Sequence, residues 1–405
     1  MTMAKERIRM ENAPDWYDTP LDKLDFEWSR EEKLEIERYC EKIHKNIEEE
    51  EMTPSQRFKA TLEGNEKDRC FMVTLPFNVY AVRTLDSAAD ALKPIDCYRN
   101  PKLLVKEHFA FAARFKTDWI MPYTVGYTED LWGGKSKLIE YGNPVLLGDP
   151  PIKTMADLEG LEIPDHKKHG LYPGYLWAIR ECKRFLKEYN LDQAIPLSVG
   201  VLCDPIAIVM LGMTSISGFM IMTRKDPELL KKCVEMADEL FIASCLAAKE
   251  MGADVLWVSA GLGWLPIKGN EWTLDHHEKV SRTLGPQIPI YYTAGVAADA
   301  AWLPLMVERG IMGPGGLAGW ATGGALDYKK AVDLAREHNI HCMNLSSDKI
   351  VLDGPISAIE EDLKMRCDYG KEHTKFAIGI GAIDYHTSQE HVDAAIAAAK
   401  KYGKY

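Results

Sequence analysis

Residues 288–310, IPIYYTAGVAADAAWLPLMVERG, decide the fold. Ile288, Ile290, Tyr291 and Tyr292 make a short Pro-led run of β-branched and aromatic side chains, which predicts a buried strand. Gly295 breaks the run, and residues 296–309 return to helical spacing. Strand, turn and helix in that order form one β/α unit. In a cylinder built of such units, the residues just past each strand face the reaction chamber. The corner Tyr292-Thr293-Ala294-Gly295 is therefore expected to look onto it, with Tyr292 inward because it is nearer the strand's end.

Working outward, the same punctuation recurs. Eight strand-like runs appear, at 71–75, 119–122, 196–202, 254–259, 288–293, 317–321, 340–345 and 376–380. Helical patterns separate almost all of them, including 101–115, 175–189, 205–222, 227–251, 273–284 and 356–369. Alternating β and α units call for parallel strands with helices outside, so the prediction is an α/β chain forming a (β/α)8 TIM barrel. An open doubly wound sheet is the alternative. Residues 53–405 would form the barrel and 1–52 a charged helical extension. Between the second and third strands an insertion carries a hairpin at 137–147, around Gly142-Asn143-Pro144, then an irregular stretch at 150–169. No GxGxxG follows an early strand and no GxxxxGK[ST] occurs, so neither a dinucleotide site nor a P-loop is indicated.

In the extension, Ser29 and Glu32 spell a capping box, and Ile36, Cys40, Ile43 and Ile47 share one helical face. The expectation is a helix packed on the barrel's exterior, with a partner-docking helix as the alternative. Glu48 to Glu51 reads as solvated surface. Thr53-Pro54 then caps a helix carrying Arg57, Phe58 and Leu62 that stops at Gly64.

Composition narrows the partners. The chain has 405 residues, 46% hydrophobic and 27% charged, with a net charge of −12. An acidic surface argues against nucleic acid and against anionic membranes. No apolar run approaches the roughly 18–20 residues of a membrane span, and MTMAKERIRM lacks the apolar centre of a signal peptide, so a cytoplasmic protein is expected. Nine scattered cysteines without a CxxC pair indicate reduced, buried thiols, in keeping with an oxygen-poor cytoplasm. Association into a homo-oligomer is compatible with the sequence.

Several stretches, in order, are similar to the uroporphyrinogen decarboxylase superfamily. They are Thr53-Pro54 with Arg57-Phe58, Leu62-Glu63-Gly64, Asp68-Arg69, Gly133-Gly134, Gly142-Asn143-Pro144 and Asp157-Leu158. Val199-Gly200 with Asp204-Pro205, Asp226-Pro227-Glu228, Met343-Asn344-Leu345 and the 352–355 segment follow. The resemblance covers about residues 53–402 and implies a single barrel with its chamber at the strand C-termini. The superfamily also contains the corrinoid (cobalamin)-dependent methyltransferases. Its decarboxylases resemble one another in an RQAGR-type motif after the first strand. Here that segment is Leu75-Pro76-Phe77-Asn78-Val79-Tyr80-Ala81-Val82-Arg83, with one arginine. A polycarboxylate held by a single cation would leave buried charge uncompensated, at several kcal/mol. The thiol-methylating branch carries zinc on His-x-Cys after the fifth strand and Cys after the last. This chain has Tyr292-Thr293-Ala294 and Gly379-Ile380-Gly381-Ala382, so the usual ligands are missing and metal held by other residues is left open.

What the resemblance then implies is a substrate-side methyltransferase similar to those of O-demethylation. It would move a methyl group from a small donor, such as a methoxylated aromatic, to the cobalt of a corrinoid-binding partner protein. Such an enzyme must help the leaving oxygen depart, by a general acid or a metal. The candidate catalytic residues are Tyr292, Asp384 and His386, the last two following the final strand, and Asp204, which also reads as a helix N-cap. Asn78, Tyr80, Arg83, Tyr123, Trp264 and Trp320 are expected to bind substrate. In His341-Cys342, neighbours on a strand point to opposite faces, which makes the pair a poor metal motif; His276-His277 reads as surface. Alternatives are a methylcobamide:thiol methyltransferase, a decarboxylase of a small acid, and a non-catalytic assembly subunit that docks through the N-terminal helix.

Overall fold

The computed structural model describes residues 8–76, 80–85, 92–122, 131–141, 144–201, 204–259, 272–294, 302–313, 319–322 and 328–405. Its strands are β1 (Phe71–Leu75), β2 (Ser136–Lys137), β3 (Val145–Leu146), β4 (Ser198–Gly200), β5 (Val255–Ser259), β6 (Ile290–Ala294), β7 (Gly319–Thr322), β8 (His341–Leu345) and β9 (Phe376–Ala382). The first helices are α1 (Arg30–Glu48), α2 (Pro54–Glu63), α3 (Pro94–Arg99), α4 (Pro101–Phe115), α5 (Met155–Leu158), α6 (Tyr172–Glu188) and α7 (Pro205–Ile208). They are followed by α8 (Ile216–Lys225), α9 (Pro227–Glu250), α10 (Thr273–Leu284), α11 (Trp302–Glu308), α12 (Tyr328–Glu337), α13 (Asp348–Asp353), α14 (Ile356–Gly370) and α15 (Gln389–Tyr402). No single helix among the described residues is long and apolar enough to cross a membrane.

Seven parallel strands form one sheet in the order β1-β9-β8-β7-β6-β5-β4. The first and last strands of this alternation are neighbours, with Phe71 opposite Ala377. The segment expected as the second strand, 119–122, lies between β4 and β1, and among the described residues it makes one bridge, Ile120 to Leu197. Its contact with β1 runs through side chains instead. The Met72 N–H donates to Asp118 at 2.7 Å, and the Trp119 indole donates to the Thr74 carbonyl at 3.0 Å. A carboxylate thus takes a backbone donor that a ladder would have used, so among the described residues seven strands pair and one segment is linked to β1 through side chains. The expected hairpin in the insertion is present as the antiparallel pair β2-β3, and Glu11 pairs with it from the N-terminal segment.

The capping boxes at Ser29/Glu32 and Thr53/Gln56 both form, and α2 ends on a left-handed Gly64 at φ 77°. Ile36, Cys40 and Ile43 are buried as α1 packs on α4, so that helix has spent its apolar face on its own chain. The single helix expected over 205–222 is broken instead into α7, a π-turn (Val209–Met213) and α8, with a 110° bend. Thr214 donates to the Val209 carbonyl, and Ser215 caps α8 at Gly218, so side chains capture the backbone at the break.

Glu50, expected as solvated surface, is half-buried in an ion network at the cylinder's base. It pairs with Arg57 at 2.7 Å and with Arg69 and Lys400 at 2.6 Å. Arg57 also grips Asp68 and Asp118, and Arg69 grips Asp118. The extension, the first strand and the last helix are therefore tied at one point. Eight cysteines are free and buried, and Cys203 lies outside the described residues.

Candidate active site

Successive side chains on a strand point to opposite faces. One set (Phe71, Val73 and Leu75 of β1, Trp257 of β5, Met343 of β8 and Ala377 of β9) converges in a single cluster with Trp119, which marks the inside of the cylinder. Phe58 of α2 closes its base, with ring centroids 5.1 Å from Phe71 and 6.3 Å from Tyr291. The alternate set, including Met72, Val258 and Cys342, packs against the helices.

This phase corrects the expectation for β6. Tyr291 points inward, and Tyr292 lies in the outer layer, its ring edge-on to His277 at 5.8 Å. The strand runs on to Ala294, so nearness to its end did not set the phase. Inside, Tyr291 meets His341 at 5.0 Å, both registered against Gly319 of β7. Burial pushes the Tyr291 phenol well above and the His341 imidazole well below their ordinary values, so both are neutral. Cys342 faces away from His341, as alternation requires.

At the C-terminal rim, Asp384 and His386 are exposed neighbours. The Asp384 carboxylate accepts the His386 N–H at 2.8 Å and its carbonyl accepts the Thr387 N–H at 3.0 Å, shaping a turn that leads to the Ser388 cap of α15. The structure thus brings Asp384 and His386 together and leaves Tyr292 behind the wall. Two further polar residues pack on the end of β9 that leads into this turn. Ser346 accepts the Gly381 N–H at 3.2 Å, and a Cβ on Gly381 would collide with the Asp348 carboxylate and the Ser346 carbonyl. The polar run Ser346-Ser347-Asp348 just past β8 was the sequence signal for them.

Arg83 does not reach into the chamber as expected of a substrate ligand. Its Nη1 donates to the Tyr385 carbonyl at 2.6 Å and the Thr387 carbonyl at 2.8 Å, and the guanidinium lies 5.5 Å from the Tyr80 and Tyr385 ring centres. It staples the rim loop after β9 to the segment after β1. Tyr80 is likewise turned outward, packed on Phe111 and Phe115 of α4, where burial pushes its phenol to about 12. Asn78, Tyr123 and Trp264 lie outside the described residues, as does the side chain of Trp320 in β7.

Asp204 caps α7, accepting the Ala207 N–H at 2.8 Å, and is fully buried. Burial, with a smaller push from Asp238, raises it to about 7 against the opposing pull of two helix N–H groups. Asp238 of α9 accepts from His276 at 2.6 Å. The histidine pair expected at the surface is therefore mostly inside: His277 is buried and His276 half-buried. Among the described residues, no three His, Cys, Asp or Glu side chains converge as a metal site.

A family model described as Uroporphyrinogen decarboxylase (URO-D) matches residues 53–402. Among solved structures, the chain is similar to a methyltransferase from Methanosarcina mazei, with 20% identity, a TM-score of 0.70, and coverage of 87% of this chain and 99% of that one. A B12-independent methionine synthase from Shewanella sp. W3-18-1 is more distant, with 10% identity, a TM-score of 0.49, and coverage of 82% and 96%. No curated protein matches the sequence.

Proposed function

The chain belongs to the uroporphyrinogen decarboxylase family, and on that premise we propose that it is a methyltransferase. It takes a methyl group from a small methylated donor, such as a methoxylated aromatic, and passes it to the corrinoid of a partner protein. The observation that carries this reading is the fate of the one arginine after β1. Arg83 gives its Nη1 to two loop carbonyls and lies 5.5 Å from two tyrosine ring centres, so this single cation is partly committed to holding the loop. A polycarboxylate would then enter without the paired cations that its burial demands. The corner after β6 adds support, since Tyr292, Thr293 and Ala294 stand where thiol-methylating relatives resemble one another in His-x-Cys.

The corrinoid belongs to the carrier and enters as a substrate, supplying a strong cobalt nucleophile. This chain's part is to hold the donor, exclude water and manage one proton. The aromatic base formed by Phe58, Phe71, Trp119 and Trp257 closes the chamber from below. As the C–O bond breaks, the oxygen keeps the bonding pair and needs a proton, a task this reading gives to Asp384 or His386, which are exposed in the loop after β9. Tyr292, behind the wall, is not assigned that task.

The test mixes the purified protein with reduced corrinoid carrier and a panel of methyl donors. The spectrum of the methylated corrinoid is expected with one donor class. Its absence with every donor, together with CO2 release from a small acid, would replace methyl transfer by decarboxylation. Elemental analysis of the same protein shows whether a metal takes part in activating the leaving group.

A further inference from the structure

Behind β6, on the helix side of the sheet, two fully buried carboxylates on helices packed against each other interact: Asp204 at the start of α7 and Asp238 in α9. Each uses one oxygen. Asp204 Oδ1 accepts the Ala207 N–H, and Asp238 Oδ2 accepts from His276. The other oxygens, Asp204 Oδ2 and Asp238 Oδ1, have no hydrogen-bond partner among the described residues. A buried carboxylate oxygen left so is costly. The surrounding groups offer little compensation. Cys245 of α9, His277 of α10 and Tyr292 of β6 are all neutral there, because burial raises the thiol and the phenol and lowers the imidazole to about 3. Lys279 of α10 reaches Asp238 Oδ2 at 3.6 Å, but its side chain is 49% exposed. Two adjacent buried negative charges facing one half-solvated cation are unfavourable, and a single proton between them relieves the repulsion.

We infer that Asp204 and Asp238 act as one acid pair that retains a single proton, and that His276 is its port to solvent. The imidazole is bonded to Asp238 at 2.6 Å and its side chain is 13% exposed, so it touches both the pair and the water. Asp204 opens the helix after the third barrel strand, so the proton is stored in the chamber's wall. Its use rests on the methyl-transfer reading above. Each C–O bond broken leaves an oxygen that takes one proton from the rim groups Asp384 or His386; the pair is the reserve that replaces that proton and regains one from water through His276, so every side chain ends unchanged.

The pair itself is tested on the resting protein, without donor or carrier, by infrared titration. A protonated-carboxyl band is expected to persist above the ordinary carboxylate range. D204N should abolish it, and D238N should lower its midpoint by about one pH unit, since a like charge is removed. H276Q should keep the band but slow its response to a pH jump. Labelling aspartate with 13C in the wild type identifies the band should D204N not fold. A wild-type protein without such a band overturns the pair. If the band is present but D238N transfers methyl groups with the wild-type pH profile, the pair's use in the reaction is refuted while the methyltransferase reading stands.

Discussion

Replacing Asp118 with Asn probes the knot that closes the cylinder at its base. The carboxylate is 1% exposed and receives Arg57 Nη1 at 2.8 Å, both Arg69 Nη atoms at 2.7 Å and the Met72 N–H at 2.7 Å. Burial alone would raise its pKa, yet Arg69 and Arg57 outweigh burial and hold it at about 2, against an ordinary 3.8. That depression corresponds to about 2 kcal/mol, at roughly 1.4 kcal/mol per unit. Because the folded value is the lower one, the contribution is complete above the unfolded value of 3.8 and is lost as pH falls through about 2. The substitution costs more than this shift, because Arg57 and Arg69 stay buried with a charge removed between them; breaking a buried pair costs about 3–5 kcal/mol. Urea unfolding followed by tryptophan fluorescence should show D118N less stable by that amount at neutral pH, with the gap narrowing on acidification. The exposed pair Arg114–Asp393, at 44% and 47%, is the control, and D393N should cost under about 1 kcal/mol. A D118N loss no larger than the control's, or one that stays constant with pH, would refute the reasoning.

Two further substitutions address the rim. R83M should loosen the 384–387 loop held through the Tyr385 and Thr387 carbonyls, lowering kcat by about 10–100-fold with KM unchanged, because a rim acid is misplaced; a rise in KM alone would return Arg83 to substrate binding. G381A should displace Asp348 and strain the Ser346 carbonyl, costing about 1–3 kcal/mol in thermal or urea unfolding; an unchanged midpoint would contradict the packing around β9.

Much of the architecture was legible because periodicity and caps are local. Ser29, Thr53 and Asp204 each cap the helix that their sequence contexts indicate. What the sequence left hidden depends on distant partners. Two adjacent tyrosines in an apolar strand carry no mark of which faces inward, and only Trp257 across the sheet and Phe58 from below fix Tyr291 there. His277 looks like a surface residue until α9 and β6 cover it, and Glu50 looks solvated until Arg57, Arg69 and Lys400 gather around it. Arg83 has the chemistry of a ligand; that its Nη1 goes to carbonyls some 300 residues away is a fact of tertiary structure.

The adjacency of β1 and β9 has a consequence for biosynthesis. The two strands whose register places Phe71 beside Ala377 are made about 300 residues apart, so a ribosome-bound chain carries β1 with an unpaired parallel edge until β9 emerges. Arg57 and Arg69 can meet Asp118 early, but Lys400 arrives only after β9. Synthesis that stalls before β9 emerges leaves the sheet open at β1, with a parallel edge exposed to non-native pairing.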